Sequence, residues 1–389
     1  MNGYTKNINN YLLYRLFLNL RIIGPILIPF MLLKGLNYSE IMLLQSIFSI
    51  SVFLFEIPTG TLADKLSRKV SLFLSGIFFA LGLILYIVFK NFFVFAIAEI
   101  IFGIGITLSS GADTALLYES LNGLGRKKDF QKIEGISNSY VFISQAFGSI
   151  LSGFLYKYNP FLPFWISVLN VIIASIIALG FIETDREKSE HKYIIHVFKS
   201  FNIVLKKPRI LWAIIYSLVM GLLFKTGFWL YQPYFSHVDI DIQYFGIIFF
   251  IFNIIAAISS KYLVSLFSEI RPRKILLSLI FLMFLSFILP AIFVSKWAIF
   301  FLALQQIVRA MDRPTMNFYI NHQVEDKYRA TVISMVSLVA NLSFALLSPL
   351  IGLLLDEKGT ITTYLTLSVM SIIGFFILFN LRRKQKKLK

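Results

Sequence analysis

The 389-residue chain is 57% hydrophobic and 16% aromatic, with 15% charged residues and a mean hydropathy of +0.77, which excludes an ordinary soluble domain. Cysteine is absent and the four histidines are scattered, so disulfides, thiol catalysis and cysteine or histidine metal sites are excluded and neither metal nor cofactor is expected. A net charge of +17 would suggest nucleic acid in a soluble protein, but here its placement along the chain points to anionic lipid instead.

A hydrocarbon core about 30 Å thick takes about 20 apolar residues of helix to cross. Twelve stretches qualify, near residues 11–33, 40–62, 70–89, 92–114, 134–156, 161–182, 210–235, 243–265, 274–294, 297–319, 330–354 and 360–380. The chain therefore reads as an all-α integral membrane protein with twelve transmembrane helices. The first stretch is too long for a signal-peptide core, lacks a small-residue cleavage site and contains Arg15 and Arg21, so it reads as a retained span. Between the second and third spans lies the charged loop Gly60-Thr-Leu-Ala-Asp64-Lys65-Leu-Ser67-Arg68-Lys69.

The longest polar interval, residues 183–209, divides the spans six and six. The expected organisation is an N-terminal six-helix bundle (1–182), a cytoplasmic linker (183–209), a C-terminal bundle (210–381) and a basic tail (382–389). Within the linker Ile194, Val197, Phe198, Phe201, Val204 and Leu205 recur at helical spacing, with Lys192, Lys199 and Lys206 elsewhere on the wheel, which predicts an interfacial amphipathic helix. A shift of 205 residues lays Asp64, Arg68 and Lys69 on Glu269, Arg273 and Lys274, and a shift of 201 lays Thr114 and Tyr118 on Thr315 and Tyr319. That is the faint repeat expected of a 6+6 architecture. Basic residues concentrate in alternate loops, at 65–69, 126–132, 186–209, 271–274, 327–329 and the tail, which places both termini in the cytoplasm.

These features together resemble the major facilitator superfamily over nearly the whole chain. Its loop pattern is Gly-x-Leu-Ala-Asp-Arg-x-Gly-Arg-Arg; the chain keeps Gly60, Leu62, Ala63, Asp64, Arg68 and Lys69, with Ser67 at the second glycine. The preceding Glu56-Ile-Pro-Thr-Gly60 is similar to a bacterial drug-efflux-like subgroup, and abundant Phe, Ile, Asn, Lys and Tyr fits an AT-rich bacterial genome. The family's Arg-x-x-x-Gly-x-Gly in span 4 appears as Glu99-Ile-Ile-Phe-Gly103-Ile-Gly105, with glutamate for arginine. The antiporter motif of span 5 is kept at Gly135, Gly148 and Gly153, while Ser144, Ser149 and Ser152 stand in for two glycines and the proline. The resemblance implies that spans 1, 4, 7 and 10 line a central cavity and that the Gly60 to Lys69 loop is a moving joint.

Charges inside hydrocarbon cost at least about 2.5 to 3.5 kcal/mol each unless they meet water or a partner. Arg21, Glu99, Lys225, Arg309, Asp312 and Arg313 fall on spans 1, 4, 7 and 10 and are the candidate substrate or proton residues. Gln305, Arg309, Asp312 and Arg313 share one helical face, and Glu99, Gly103, Ser110 and Asp113 form a stripe along span 4. Glu99 either carries a coupled proton or neutralises Arg21 or Lys225. Arg309, Asp312 and Arg313 either touch substrate or form an internal ion-pair network. Asp113 is expected to latch onto Arg68 and Lys69 of the joint, Arg15 to snorkel to the interface, and His322 to be a loop histidine.

The first reading is a secondary active transporter working by alternating access, a proton-coupled exporter of a small amphipathic or anionic compound. The second is proton-coupled or exchange uptake of a small organic anion, and the more distant alternative is a membrane sensor or scaffold. No nucleophile and base stand at motif spacing and no phosphate loop is present, so an enzyme is not expected. The expected partners are a small-molecule substrate, protons and anionic membrane lipids, without nucleic acid. The protein is expected to be a monomer in the bacterial cytoplasmic (inner) membrane.

Overall fold

A computed structural model describes residues 3–20, 22–65, 67–183, 207–267 and 270–387. Arg21, Glu269, linker residues 184–206 with the expected amphipathic helix, and the side chain of Asp64 lie outside the described residues. Everything described is helix, turn or coil, with no strand among the described residues. The helices are α1 (Gly3–Asn19), α2 (Leu27–Leu33), α3 (Tyr38–Lys65), α4 (Arg68–Val88), α5 (Phe92–Ser109), α6 (Ala112–Gly123), α7 (Phe130–Tyr158) and α8 (Leu162–Leu179). After the linker come α9 (Pro208–His237), α10 (Phe245–Leu266), α11 (Pro272–Ile292), α12 (Leu304–Gln323) and α13 (Asp326–Lys387). Nine helices among the described residues are long and apolar enough to cross a membrane. Neither α7, of 29 residues, nor α12, of 20, is among them; α12 carries Arg309, Asp312 and Arg313.

Two compact units result, one from Met1–Ser189 with Asp241–Phe250, the other from Glu190–Ile240 with Ile251–Lys389. In the first, α4 packs on α5 and α8, α3 on α5, and α1 on α7 and α8. In the second, α13 runs along α9 and α11, and α11 packs on α12. Small residues set these approaches, as they do between helices in lipid. A Cβ on Gly76 of α4 would meet Val171 O of α8 at 2.7 Å, and one on Gly221 of α9 would meet the Ala340 Cα of α13 at 2.5 Å. The first unit's α7 meets the turn before α10 in the same way, a Cβ on Gly153 falling 2.4 Å from Ile242 O. Above that contact Lys157 Nζ donates to Asp241 Oδ2 at 2.6 Å.

Three segments depart from the sequence reading. The expected loop at Gly60 to Lys69 is helical through Lys65, and α4 begins at Arg68. Ser67 supplies the reason: its hydroxyl oxygen accepts from Val70 N at 3.1 Å as an N-cap, which serine does well. Span 4 is two helices, broken where Gly111 adopts φ +80°, a conformation that costs other L-residues about 1–2 kcal/mol. The stripe drawn from Glu99 to Asp113 assumed an unbroken helix and does not continue across Gly111. Finally, α13 spans 62 residues because two helices abut at Gly359, with φ 77° and ψ 178°, and its helix continues past 382 into the expected tail.

Candidate transport site

Glu99 lies 4% exposed in α5. Gln45 Nε2 of α3 donates to its Oε1 at 3.0 Å, and the Tyr86 hydroxyl of α4 donates to the same oxygen. The Tyr86 ring packs against Phe95 and Phe102, with centroids 4.7 and 5.4 Å away. Both of these partners of the carboxyl are neutral. In the second unit, Lys225 of α9 donates to Asn341 Oδ1 of α13 and lies 5.3 Å from the Phe344 ring.

The α12 charges do not pair with one another. Asp312 accepts from the Tyr216 hydroxyl of α9 at 2.6 Å, while the exposed Arg309 donates to Asn253 Oδ1 of α10 at 2.9 Å. Arg313 is exposed one turn further along. The internal ion-pair network expected as one option is therefore replaced by three side chains that each look to a neutral neighbour or outward. Helix rotation explains it: Asp312 lies about 100° from Arg313 on the wheel, enough to turn it toward α9 while both arginines face away from that contact.

Beside Arg309 stands a buried polar cluster of which only Gln305 was marked in the sequence. The Tyr231 hydroxyl donates to Gln305 Oε1 at 2.8 Å and accepts from Gln306 Nε2 at 3.0 Å, and Gln305 Nε2 donates to Ser286 Oγ at 3.1 Å. The Tyr231 ring meets Phe252 edge-on at 5.2 Å. Gln306 Oε1 and Thr226 Oγ1 are buried without a hydrogen-bond partner, which leaves them as acceptors for whatever enters. The adjacent glutamines in a long apolar stretch were the signal for this cluster; a tyrosine on another helix was not predictable from either.

The joint residues form a different set of contacts from the one expected. Asp113 is latched by Arg15 of α1, whose NH1 lies 2.6 Å from Asp113 Oδ2, and not by Arg68 or Lys69. Arg15 also donates from NH2 to Asn138 at 3.0 Å, and the Tyr11 hydroxyl one turn earlier donates to Glu134 Oε2 at 2.5 Å. Arg15 is thus a half-buried organiser of α1, α6 and α7 and not an interfacial snorkeler. Arg68 pairs with Glu119 of α6. Lys69 enters through its backbone, its N–H donating to Glu183 Oε1 at 3.0 Å, an oxygen that also accepts the Ser67 hydroxyl. Gly60 ends up inside α3, with no atom within 4 Å of where its Cβ would stand.

The Major Facilitator Superfamily model matches residues 16–302 and 226–389. The chain is 24% identical over 370 residues to the uncharacterized MFS-type transporter YxaM of Bacillus subtilis, covering 92% of this chain and 90% of that protein. It is 26% identical over 177 residues to the quinolone resistance protein NorA of Staphylococcus aureus, covering 46% of this chain and 44% of NorA. Among solved structures, the nucleoside transporter NupG superposes with a TM-score of 0.79 at 17% identity, covering 98% of this chain and 99% of NupG. The human organic anion transporter MFSD10 superposes with a TM-score of 0.62 at 15% identity, covering 97% and 100%. At these identities the structural likenesses are likenesses of fold.

Proposed function

The chain belongs to the major facilitator superfamily, and from that premise we propose that it is a proton-coupled exporter of a small amphipathic compound carrying an anionic group. It works by alternating access across a bacterial cytoplasmic membrane, with twelve spans and both termini inside. The observation that carries this reading is the pair Lys225 of α9 and Arg309 of α12, two cations whose hydrogen-bond partners are the amide oxygens of Asn341 and Asn253. A cation in hydrocarbon costs several kcal/mol without an opposite charge, and a substrate anion supplies one. Beside them Gln306 Oε1 and Thr226 Oγ1 offer buried acceptors for an N–H or O–H of the same molecule, and the Tyr231 and Phe252 rings offer an apolar surface for its body.

Protons are the proposed counter-substrate and Glu99 the proposed carrier. A carboxylate held by two neutral donors in hydrocarbon is costly, and a bound proton removes the cost while leaving hydrogen bonds to make. Export is favoured by the match to NorA, a quinolone resistance protein. Uptake of an organic anion is the second reading, favoured by the same two cations, which specify charge and not direction. The proposal involves no chemical step, so the solute leaves unchanged.

Purified protein in liposomes holding a pH dye, under an imposed proton gradient, tests the reading against anionic, zwitterionic and cationic solutes. Anionic or zwitterionic solutes are expected to trigger proton flux, and accumulation inside inverted vesicles identifies export. Flux driven only by lipophilic cations, or no flux from folded and inserted protein, overturns it.

A further inference from the structure

At the end of the second unit where α9 and α11 begin and α13 finishes, four arginines gather, none of them in an ion pair among the described residues. Arg273 is fixed in place: its Nε and NH2 donate to the Tyr319 hydroxyl at 3.0 and 2.6 Å, and its guanidinium lies 5.2 Å from the ring centroids of both Trp212 and Tyr319. The framework under it is rigid. Trp212 Nε1 donates to Leu378 O at 3.0 Å and the Tyr319 hydroxyl donates to Arg209 O at 2.9 Å, which ties α9, α12 and α13 together. Arg271 precedes the first turn of α11, and Arg382, on the last turns of α13, lies within electrostatic reach of both Arg271 and Arg273. Arg209, whose carbonyl accepts from the Tyr319 hydroxyl, completes the group. Among the described residues the ion pair at this end, Lys207 with Glu325 at 2.5 Å, uses none of these four arginines. Like charges so placed repel, and a bound anion offsets the repulsion.

We infer that this end binds the phosphate headgroup of an anionic phospholipid from the cytoplasmic leaflet, with Arg271, Arg273 and Arg382 as the headgroup ligands. Three observations favour a lipid over a soluble phosphate. The cluster lies where the positive bias of the loops puts the cytoplasmic face, and that leaflet carries the negative surface charge. Arginine presents a planar fork that suits phosphate oxygens. Directly along α13 from Arg382 stand Phe376, Ile377 and Phe379, 55%, 48% and 42% exposed, and Ile270 beside Arg271 is 39% exposed; an acyl chain covers such a strip and inorganic phosphate does not.

The test is thermal melting of the full-length protein in nanodiscs of phosphatidylcholine, with and without phosphatidylglycerol of the same chain length, and separately with millimolar inorganic phosphate. The wild type is expected to melt several degrees higher with phosphatidylglycerol and to be unmoved by phosphate alone. The double variant Arg271→Gln/Arg382→Gln is expected to melt like wild type in phosphatidylcholine and to lose at least half of the phosphatidylglycerol response. Arg126→Gln, on the first unit, should keep all of it. A lysine pair at 271 and 382 serves if the glutamine pair does not fold: it should retain most of the response, since charge is preserved. A full response in the glutamine pair, or a response reproduced by phosphate alone or shared equally by Arg126→Gln, overturns the assignment. None of these readouts involves solute transport, so this proposal and the transport reading fail separately.

Discussion

Glu99 accepts from an amide and a phenol, and glutamine at the same place can accept from both while never taking up a proton. Glu99→Gln should therefore fold as wild type but transport with a flattened pH dependence, measured as initial rates in liposomes from pH 6 to 8. Retention of the wild-type pH profile would exclude Glu99 as the coupled group. Asp241 poses the opposite question at an aqueous position. The hydrogen bond from Lys157, together with one from the Gln243 backbone, holds its carboxyl below the ordinary range. A depressed pKa contributes stability that is complete above the unfolded value, about 4, and lost only as pH falls through the folded one. Melting temperature between pH 5 and 8 should thus be unaffected by Asp241→Asn beyond a constant offset. The variant and wild type should converge below about pH 4; an offset that grows between pH 5 and 8 would contradict the assignment.

Gly111 and the α1–α6–α7 contact show what an element adds to its residues. No atom lies within 4 Å of where a Gly111 Cβ would stand, so Gly111→Ala tests backbone strain alone and should cost about 1–2 kcal/mol, read as a lowered melting temperature in detergent. Asp113→Asn should cost about 2–3 kcal/mol, since Arg15 would keep its charge with one strong partner gone, and Arg15→Met/Asp113→Leu together should recover part of it. A double variant less stable than Asp113→Asn alone would mean the pair does more than neutralise charge. The sequence showed the polar residues of this contact but not their pairing. Periodicity assigns Asp113 a face only while the helix continues, and Gly111 resets the angle; it also says nothing of which neighbour that face meets, so Arg15 was read as interfacial. The Gly60 to Lys69 segment was legible in identity and misread in shape, because Ser67 was weighed as a missing glycine when its hydroxyl makes it a helix cap. At the two positions related by the 205-residue shift, Arg68 at the start of α4 reaches Glu119 of α6 and Arg273 at the start of α11 reaches Tyr319 of α12.

Considered across the chain, the candidate proton and substrate charges divide by unit. The first holds Glu99 with neutral donors, besides Asp113 and Glu134 around Arg15 and the buried Lys34 on backbone carbonyls; the second holds Lys225 and the exposed Arg309 on amide oxygens, with Asp312 tied to Tyr216. Hydropathy pointed to long apolar helices, of which nine among the described residues suit a bilayer, and charge cost singled out these residues because hydrocarbon makes each one conspicuous. Their partners stayed hidden because Asn253, Asn341 and Tyr216 are ordinary residues in ordinary helices until another helix arrives. The division predicts separable defects under the proposed function. Losing one charge-assisted contact costs about 1.5–3 kcal/mol, so Lys225→Gln and Arg309→Gln should each raise the KM for an anionic solute about 10-fold or more. Both should keep the wild-type pH profile, because the proposed proton carrier lies in the other unit. Glu99→Gln should do the reverse, altering the pH profile with KM little changed. Measuring all three variants in the same liposome assay decides the matter. If Lys225→Gln and Arg309→Gln flatten the pH dependence as strongly as Glu99→Gln does, proton and substrate share one set of groups, and charge has been divided between the units without dividing the work.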